Sequence, residues 1–301
     1  MKGIKCTMLK ANAKINIGLK VLGRRPDGYH NLETIFYPVN LCDNITLRTK
    51  VRKSNNKIEV RMFGSKRNDR DNICYKAVEK FLEEFKIPGF YNIYVKIYKY
   101  IPIGGGLGGG SSDAAAVLKG LYEIYKISGE EKRLKKLALS LGSDVPFFLT
   151  NKPAMASSRG DKIKVINSFS ITGDIILVNP GINVSTKWAF EEIDRLREKL
   201  KDRGSKSEVK GQKSEFRKLQ KRIPLISTKS LKNIKFLEND FERVVFKKFP
   251  EIKAIKDKMI ELGTSFASMS GSGSSVYGIF NKTPKELVRY FKGKRYNVFV
   301  V

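Results

Sequence analysis

An α+β fold is predicted for this chain, and three observations predict it. Some runs carry apolar residues at every second position, and others carry them at spacings of three and four. The two kinds follow each other without a strict strand–helix–strand period, which argues against a doubly wound parallel sheet. Of 301 residues, 41% are hydrophobic and 10% aromatic, enough for the core of two ordinary domains or one large one.

Residues 4–22 alternate apolar and polar and stop at Gly23, so a strand is expected there. Residues 23–31 (GRRPDGYHN) read as a turn, in which Pro26 presets φ and Asp27-Gly28 supplies the corner. Further strands are expected over 32–49 and 57–63. Ala77, Val78, Phe81, Leu82 and Phe85 fall at helical spacing within 72–85, with Asn72 as N-cap. Residues 91–101 alternate as a half-buried strand. A glycine-rich loop then feeds a helix over 111–125, whose apolar face holds Ala114, Val117, Leu118, Leu121, Tyr122 and Tyr125. A second helix over about 130–141 ends at Gly142, and GSDVPFFL (142–149) follows.

Periodicity fades over 150–165, where Pro and Gly punctuate. The division drawn from this is an N-terminal domain over 1–160 and a C-terminal domain over 161–301. The second part opens with a strand at 174–179 that ends at Asn179-Pro180-Gly181. A helix over 250–262 comes next, then two apolar pieces around a Gly/Ser loop within 266–280. A helix near 284–291 and a strand over 296–301 close the chain, and no internal repeat is visible.

Lys and Arg number 59 and Asp and Glu 30, a net charge of +29. Such a charge invites a nucleic-acid reading. The basic residues are nevertheless spread along the whole chain, and the densest stretch, near 195–235, holds few aromatics beyond Phe216 for stacking bases. No zinc finger, RNP-type aromatic motif or paired heptad accompanies it. A lysine-rich surface with a solvated helical insertion is the simpler reading, polyanion binding the alternative. A positive surface also draws in small anions such as nucleotides.

One histidine excludes a multi-histidine metal centre. Cys6, Cys42 and Cys74 lie far apart with no C-x-x-C, which excludes a zinc ribbon or thioredoxin motif and fits a reducing compartment. No apolar run approaches the roughly 20 residues a membrane span needs, and the N-terminus lacks a signal peptide's apolar stretch. A cytoplasmic protein without a membrane partner is the expectation.

Pro102, Ile103, Gly104, Gly105, Gly106, Leu107, Gly108, Gly109, Gly110, Ser111 and Ser112 form the most informative segment. Glycines let backbone N–H groups approach a ligand closely and permit positive φ. The loop enters a helix N-terminus, where unpaired N–H groups and the helix dipole favour an anion. Ser111 or Ser112 can cap that helix or contact a phosphate or its metal. Asp113 complements the dipole, with a metal role as the alternative. The loop is no Walker A, because no Gly-Lys-Ser/Thr follows. Gly104, Gly106 and Gly109 fit G-x-G-x-x-G, but the acid a dinucleotide fold needs about 20 residues on, after a second strand, has no counterpart. Protein-kinase elements are absent. A flexible linker is the bland alternative. The second loop, Ser270 to Ser275, is explained equally well by a tight turn.

The strand–GGGLGGGSS–helix arrangement, with SGSGSS near the C-terminus, resembles the GHMP superfamily of small-molecule kinases. AKINIGLKVLGRRPDGYHNLETIF (13–36), GSDVPFFL (142–149) and NPGINVSTKWAF (179–190) narrow the resemblance. They match the branch that acts on a cytidine-diphosphate-linked methylerythritol. The likeness covers most of the chain in the right order, and AKIN followed by DGYH is its most specific part. It implies an N-terminal domain like ribosomal protein S5 domain 2 and a ferredoxin-like C-terminal domain, with the active site in the cleft between them. It also implies transfer of the ATP γ-phosphate to the 2-hydroxyl of that polyol, on the non-mevalonate route to isoprenoids.

By the same resemblance, Asp144 is the general base and Lys14 keeps it ionised and offsets charge on the transferring group. For Asp144 a helix N-cap is the structural alternative, and for Lys14 a solvated surface charge. Asn16, on the same strand face as Lys14, would bond the polyol or Asp144. His30 would read the cytosine edge, Tyr29 and Phe190 would sandwich the base, and Phe36 would line the pocket; Trp188 is the substitute for Phe190. Core packing is the alternative for each aromatic. The 102–112 loop would hold the ATP phosphates, and Gly271, Ser272 and Gly273 would close over the acceptor end. No acidic cage is visible, so Mg²⁺ would arrive on the nucleotide. The partners implied are ATP and the cytidine-linked polyol, with no nucleic acid and the oligomeric state open. The 195–235 stretch is longer and more charged than the family's pattern. A homoserine or mevalonate kinase is the alternative within the superfamily, and an RNA-binding protein the alternative outside it.

Overall fold

Period-two spacing makes β1 (Lys5–Arg24) and β2 (His30–Arg52), two long paired strands. The computed structural model describes residues 4–64, 71–202 and 237–301. From residue 203 onward the basic stretch lies outside the described residues. The chain forms two compact units, and β1 and β2 run through both.

The first unit comprises Met1–Ala13, Val39–Ile103 and Gly108–Asn151. Its sheet joins the later half of β2 antiparallel to β4 (Phe90–Tyr98), with Asn44 opposite Tyr98, and β4 parallel to β3 (Lys57–Phe63). Ile93, Val95 and Ile97 alternate inward from β4, as Ile45 and Leu47 do from β2. Among the described residues, four helices belong to this unit: α1 (Ile73–Glu84), α2 (Gly109–Ile124), α3 (Glu131–Leu141) and α4 (Val145–Thr150). Asn72 caps α1 as predicted, its Oδ1 accepting from Cys74 N–H at 2.9 Å. Gly120 explains how closely α2 lies on the sheet: a Cβ there would meet Leu9 Cδ1 at 2.6 Å and Leu47 Cδ2 at 2.9 Å.

The second unit comprises Lys14–Pro38, Gly104–Leu107 and Lys152–Val301. Here the first half of β2 pairs with β5 (Ala154–Ser157), and β5 pairs with β6 (Lys162–Val165). These two strands lie where periodicity fades in the sequence. Four residues each are too few for alternation to register, and Ser158 and Gly160, both at positive φ, turn the chain between them. A four-stranded antiparallel sheet follows, ordered β10 (Asn297–Val300), β7 (Asp174–Asn179), β9 (Val276–Phe280), β8 (Phe266–Met269). Among the described residues, α5 (Thr186–Asp202), α6 (Glu242–Lys248) and α7 (Pro250–Glu261) come between β7 and β8, and α8 (Lys285–Gly293) comes between β9 and β10. This is the ferredoxin-like βαββαβ order. Its core joins Leu19 and Val21 to Ile176, Val178, Phe241, Ile255, Met269 and Phe291.

Candidate active site

In the first unit, α2 begins at Gly109, two residues earlier than the apolar spacing predicts. Gly108 stands before it at φ 72°, a left-handed conformation that suits glycine, and its carbonyl accepts from Ser112 N–H at 2.9 Å. No side chain caps the helix, so the predicted capping role of Ser111 or Ser112 is not realised. The two serines sit inside the first turn instead. The N–H groups of Gly109, Gly110 and Ser111 precede the first intrahelical bond and are suited to an anion. Pro102 is half-buried and Ile103 exposed just before it.

In the second unit, residues 104–107 are stitched to two other segments. Leu107 C=O accepts from Lys14 N–H at 3.0 Å, and Gly105 C=O from Ser275 N–H at 3.2 Å. Gly106 C=O accepts from Ser270 Oγ at 3.0 Å. A Cβ on Gly106 would lie 2.0 Å from Ser270 O, so the two glycine-rich loops meet backbone to backbone. Asn239 Nδ2 donates to Met269 O and Gly271 O, each at 2.7 Å, and so shapes the second loop. Ser272 Oγ and Thr186 Oγ1 are 2.8 Å apart, which ties that loop to the start of α5. Gly271 and Gly273 both adopt positive φ. Asn239 escapes a sequence reading because a lone Asn among charged residues carries no pattern.

Lys14 and Asn16 share a strand face as expected, and Phe36, expected in the cytosine pocket, lies against Lys14. Lys14 Nζ donates to Asn16 Oδ1 at 2.6 Å and lies 4.5 Å from the centre of the Phe36 ring. Asn16 Nδ2 donates to Thr34 Oγ1 at 3.0 Å, and Asn16 C=O accepts from Tyr277 OH at 2.8 Å. Lys14 is only 5% exposed and Asn16 2%, so the solvated surface charge is excluded for this lysine.

His30 is buried and lies flat on Phe190, ring centres 4.5 Å apart and planes 13° from parallel. Its Nε2 faces both oxygens of Asp194 at 3.0 and 2.9 Å. Tyr29 is exposed, with the Arg159 guanidinium 4.7 Å from its ring centre. Trp188 packs edge-on to Phe249 with Lys248 over its face, which puts it with the helical core of this unit.

Asp144 stands at the N-cap position of α4, with Pro146 in its first turn, and its side chain makes no capping hydrogen bond. The helix start is as predicted, and the cap reading of its side chain is not. Behind the first turn of α2 lies a cluster that the sequence does not announce. Lys99 Nζ bridges Asp43 and Asp113, at 2.7 Å from Asp113 Oδ2. Asp43 Oδ1 also accepts from Tyr100 N–H at 2.6 Å and Ile101 N–H at 2.9 Å. Asp113 therefore faces inward rather than serving the dipole at the surface. Burial pushes its carboxyl from an ordinary 3.8 up to about 7; Lys99 pulls it down and Asp43 pushes it further up. Burial alone would lower the Lys99 ammonium, and the two carboxylates outweigh it, so it stands above its usual value. The Cys74 thiol beside them is held far above its usual range by burial first and Asp113 second.

Among the described residues, no helix is long and apolar enough to cross a membrane. The pattern of the GHMP kinases N terminal domain matches residues 72–152, and that of the GHMP kinases C terminal domain matches 223–297. The chain is 36% identical over 279 residues to a 4-diphosphocytidyl-2-C-methyl-D-erythritol kinase from Cytophaga hutchinsonii, covering 91% of this chain and 92% of that one. It is 39% identical over 272 residues to the enzyme of that name from Bacteroides thetaiotaomicron, covering 89% and 90%. The crystal structure of a 4-(cytidine 5'-diphospho)-2C-methyl-D-erythritol kinase superimposes with a TM-score of 0.69 at 28% identity, over 98% of each chain. With a glycine loop leading into α2, a second glycine-rich loop meeting it at Gly106 and Ser270 and a ferredoxin-like order of elements in the second unit, the chain belongs to the GHMP superfamily of ATP-using small-molecule kinases, in its 4-diphosphocytidyl-2-C-methyl-D-erythritol kinase family.

Proposed function

We propose that this enzyme transfers the γ-phosphoryl group of ATP to the 2-hydroxyl of 4-diphosphocytidyl-2-C-methyl-D-erythritol, giving the 2-phosphate and ADP. The setting is the cytoplasm and the non-mevalonate route to isoprenoid precursors. The observation that carries the reading is 36–39% identity, over roughly nine tenths of the chain, to kinases of that name.

The local chemistry supports it. Phosphoryl transfer asks a protein mainly for positioning and charge neutralisation. In this reading the triphosphate lies on the amides of the 104–112 loop, where six glycines leave no Cβ in the way. The buried Lys14 ammonium offsets charge on the transferring group, and Asn16 holds it in place. Asp144 takes the proton of the 2-hydroxyl. Phe36 lines the polyol side, and Gly271, Ser272 and Gly273 border the acceptor. His30, Tyr29 and Phe190 recognise the cytosine. The Mg²⁺ of this proposal arrives with the nucleotide as its counter-ion.

A coupled assay of ADP release against a panel of acceptor alcohols tests the reading. Release is expected with the cytidine-linked polyol and not with homoserine or mevalonate. Asp144→Asn is expected to lower kcat about 10²–10⁴-fold, the usual worth of a general base, and Lys14→Ala about 10²–10³-fold, the usual worth of one group that stabilises transition-state charge. Near wild-type turnover by Asp144→Asn would remove the base assignment, and turnover of mevalonate or homoserine alone would remove the substrate.

A further inference from the structure

The only histidine of the chain has its Nε2 committed. A carboxylate only accepts hydrogen bonds, so an imidazole nitrogen 2.9 and 3.0 Å from the two oxygens of Asp194 must be the one that carries hydrogen. In the neutral ring, Nδ1 is then the lone-pair nitrogen. The ring cannot turn freely to exchange them, because Phe190 covers one face at 4.5 Å and only 7% of the side chain is exposed. Phe190 and Asp194 are four residues apart on α5, hence one above the other on one face of the helix. One helical turn therefore supplies both the plate under the imidazole and the acceptor at its edge.

Asp194 does not face His30 alone. The Arg197 guanidinium lies within electrostatic reach of Asp194 and of Asp240, and donates to the Val21 carbonyl.

We propose that Asp194 is a specificity-determining positioning residue: it locks His30 as the Nε2–H tautomer, so that Nδ1 is presented as a hydrogen-bond acceptor to the nucleobase. An acceptor at that edge matches the exocyclic amino group of cytosine, which donates. It opposes the carbonyl oxygen at the same position of uracil, which can only accept, so a uracil would leave two lone pairs face to face. This deepens the cytidine assignment made above and rests on it.

The single histidine makes the test direct, because one imidazole gives one set of signals. Protein labelled with ¹⁵N-histidine is examined by long-range ¹H–¹⁵N correlation, and kcat/KM is measured with cytidine- and uridine-diphosphate-linked methylerythritol. Wild type is expected to show a protonated Nε2 and an unprotonated Nδ1. Asp194→Leu is expected to give mixed tautomers and a cytidine preference lowered about tenfold, the worth of one hydrogen bond. Asp194→Asn, whose amide oxygen still accepts from Nε2–H, is expected to keep most of both. A wild-type spectrum with hydrogen on Nδ1 overturns the proposal without reference to activity. So does an Asp194→Leu protein with unchanged tautomer and unchanged preference. A wild type that holds the Nε2–H tautomer yet turns over both nucleotides equally overturns the cytidine assignment itself, and the specificity role with it.

Discussion

Gly106 and Gly110 sit four residues apart in one glycine-rich run, and their surroundings make them different residues. Gly106 adopts φ 76°, and a Cβ there would lie 2.0 Å from Ser270 O. Gly110 is in the first turn of α2, where a Cβ would meet nothing nearer than Ile73 Cγ2 at 3.9 Å. Gly106→Ala is therefore predicted to destabilise by about 2–4 kcal/mol, and Gly110→Ala by less than about 1 kcal/mol or not at all. Urea unfolding of the two variants checks this, and an inverted order would refute the close approach. Asp113 supplies a second prediction. Its carboxyl is raised in the folded protein to about 7, so between its ordinary 3.8 and 7 the folded state holds a proton that the unfolded state has lost. The stability this contributes is full below that window and is lost as the pH rises through 7. Asp113→Asn cannot titrate, so its melting temperature should gain on wild type by at least about 2 °C between pH 5 and pH 8. A constant gap across that range would contradict the buried acid. The sequence offers the motif in which these residues lie, but not which glycine touches a neighbour or which acid turns inward. Those are facts of burial.

At the scale of elements, the strongest periodicities are also the ones the fold keeps. The strand predicted over 91–101 is β4, and the helix predicted from Asn72 is α1 with its cap in place. Asn72→Ala is expected to cost about 1 kcal/mol, read as a lower urea midpoint with an unchanged slope. An unaffected midpoint would mean that the cap bond contributes nothing. The elements that escape sequence reading are short or lack a clear stripe. β5 and β6 are four residues each, and α6 spans Glu242–Lys248 among basic residues. α5 is amphipathic, but it leads into the most charged part of the sequence, where a helix and a solvated arm have the same composition. Its value lies in spacing: Phe190 and Asp194 share a face only because the segment is helical.

Over the whole molecule, a charge of +29 favours any polyanion and ranks none of them. Attraction of ATP by that field is screened by salt, so KM for ATP is expected to rise several-fold between about 50 and 300 mM KCl while kcat changes little. A KM indifferent to salt would show that the charge does not steer the nucleotide. Motif and order along the chain are local properties, and from them the α+β class and the superfamily follow without coordinates, while residues 14, 30, 104–112 and 144 enter as the site that the resemblance proposes. Partnership is not local. A sequence division near residue 160 is a single cut, whereas the compact units draw 14–38 and 104–107 together with 152–301. That grouping comes from strands that pair across more than a hundred residues, as β2 does with β5. The seating of Gly106 on Ser270, the burial of Asp113 beside Lys99 and the pairing of His30 with Asp194 were all decided by folding. Each joins groups that the chain keeps well apart, and only a closed core sets their distance and their water.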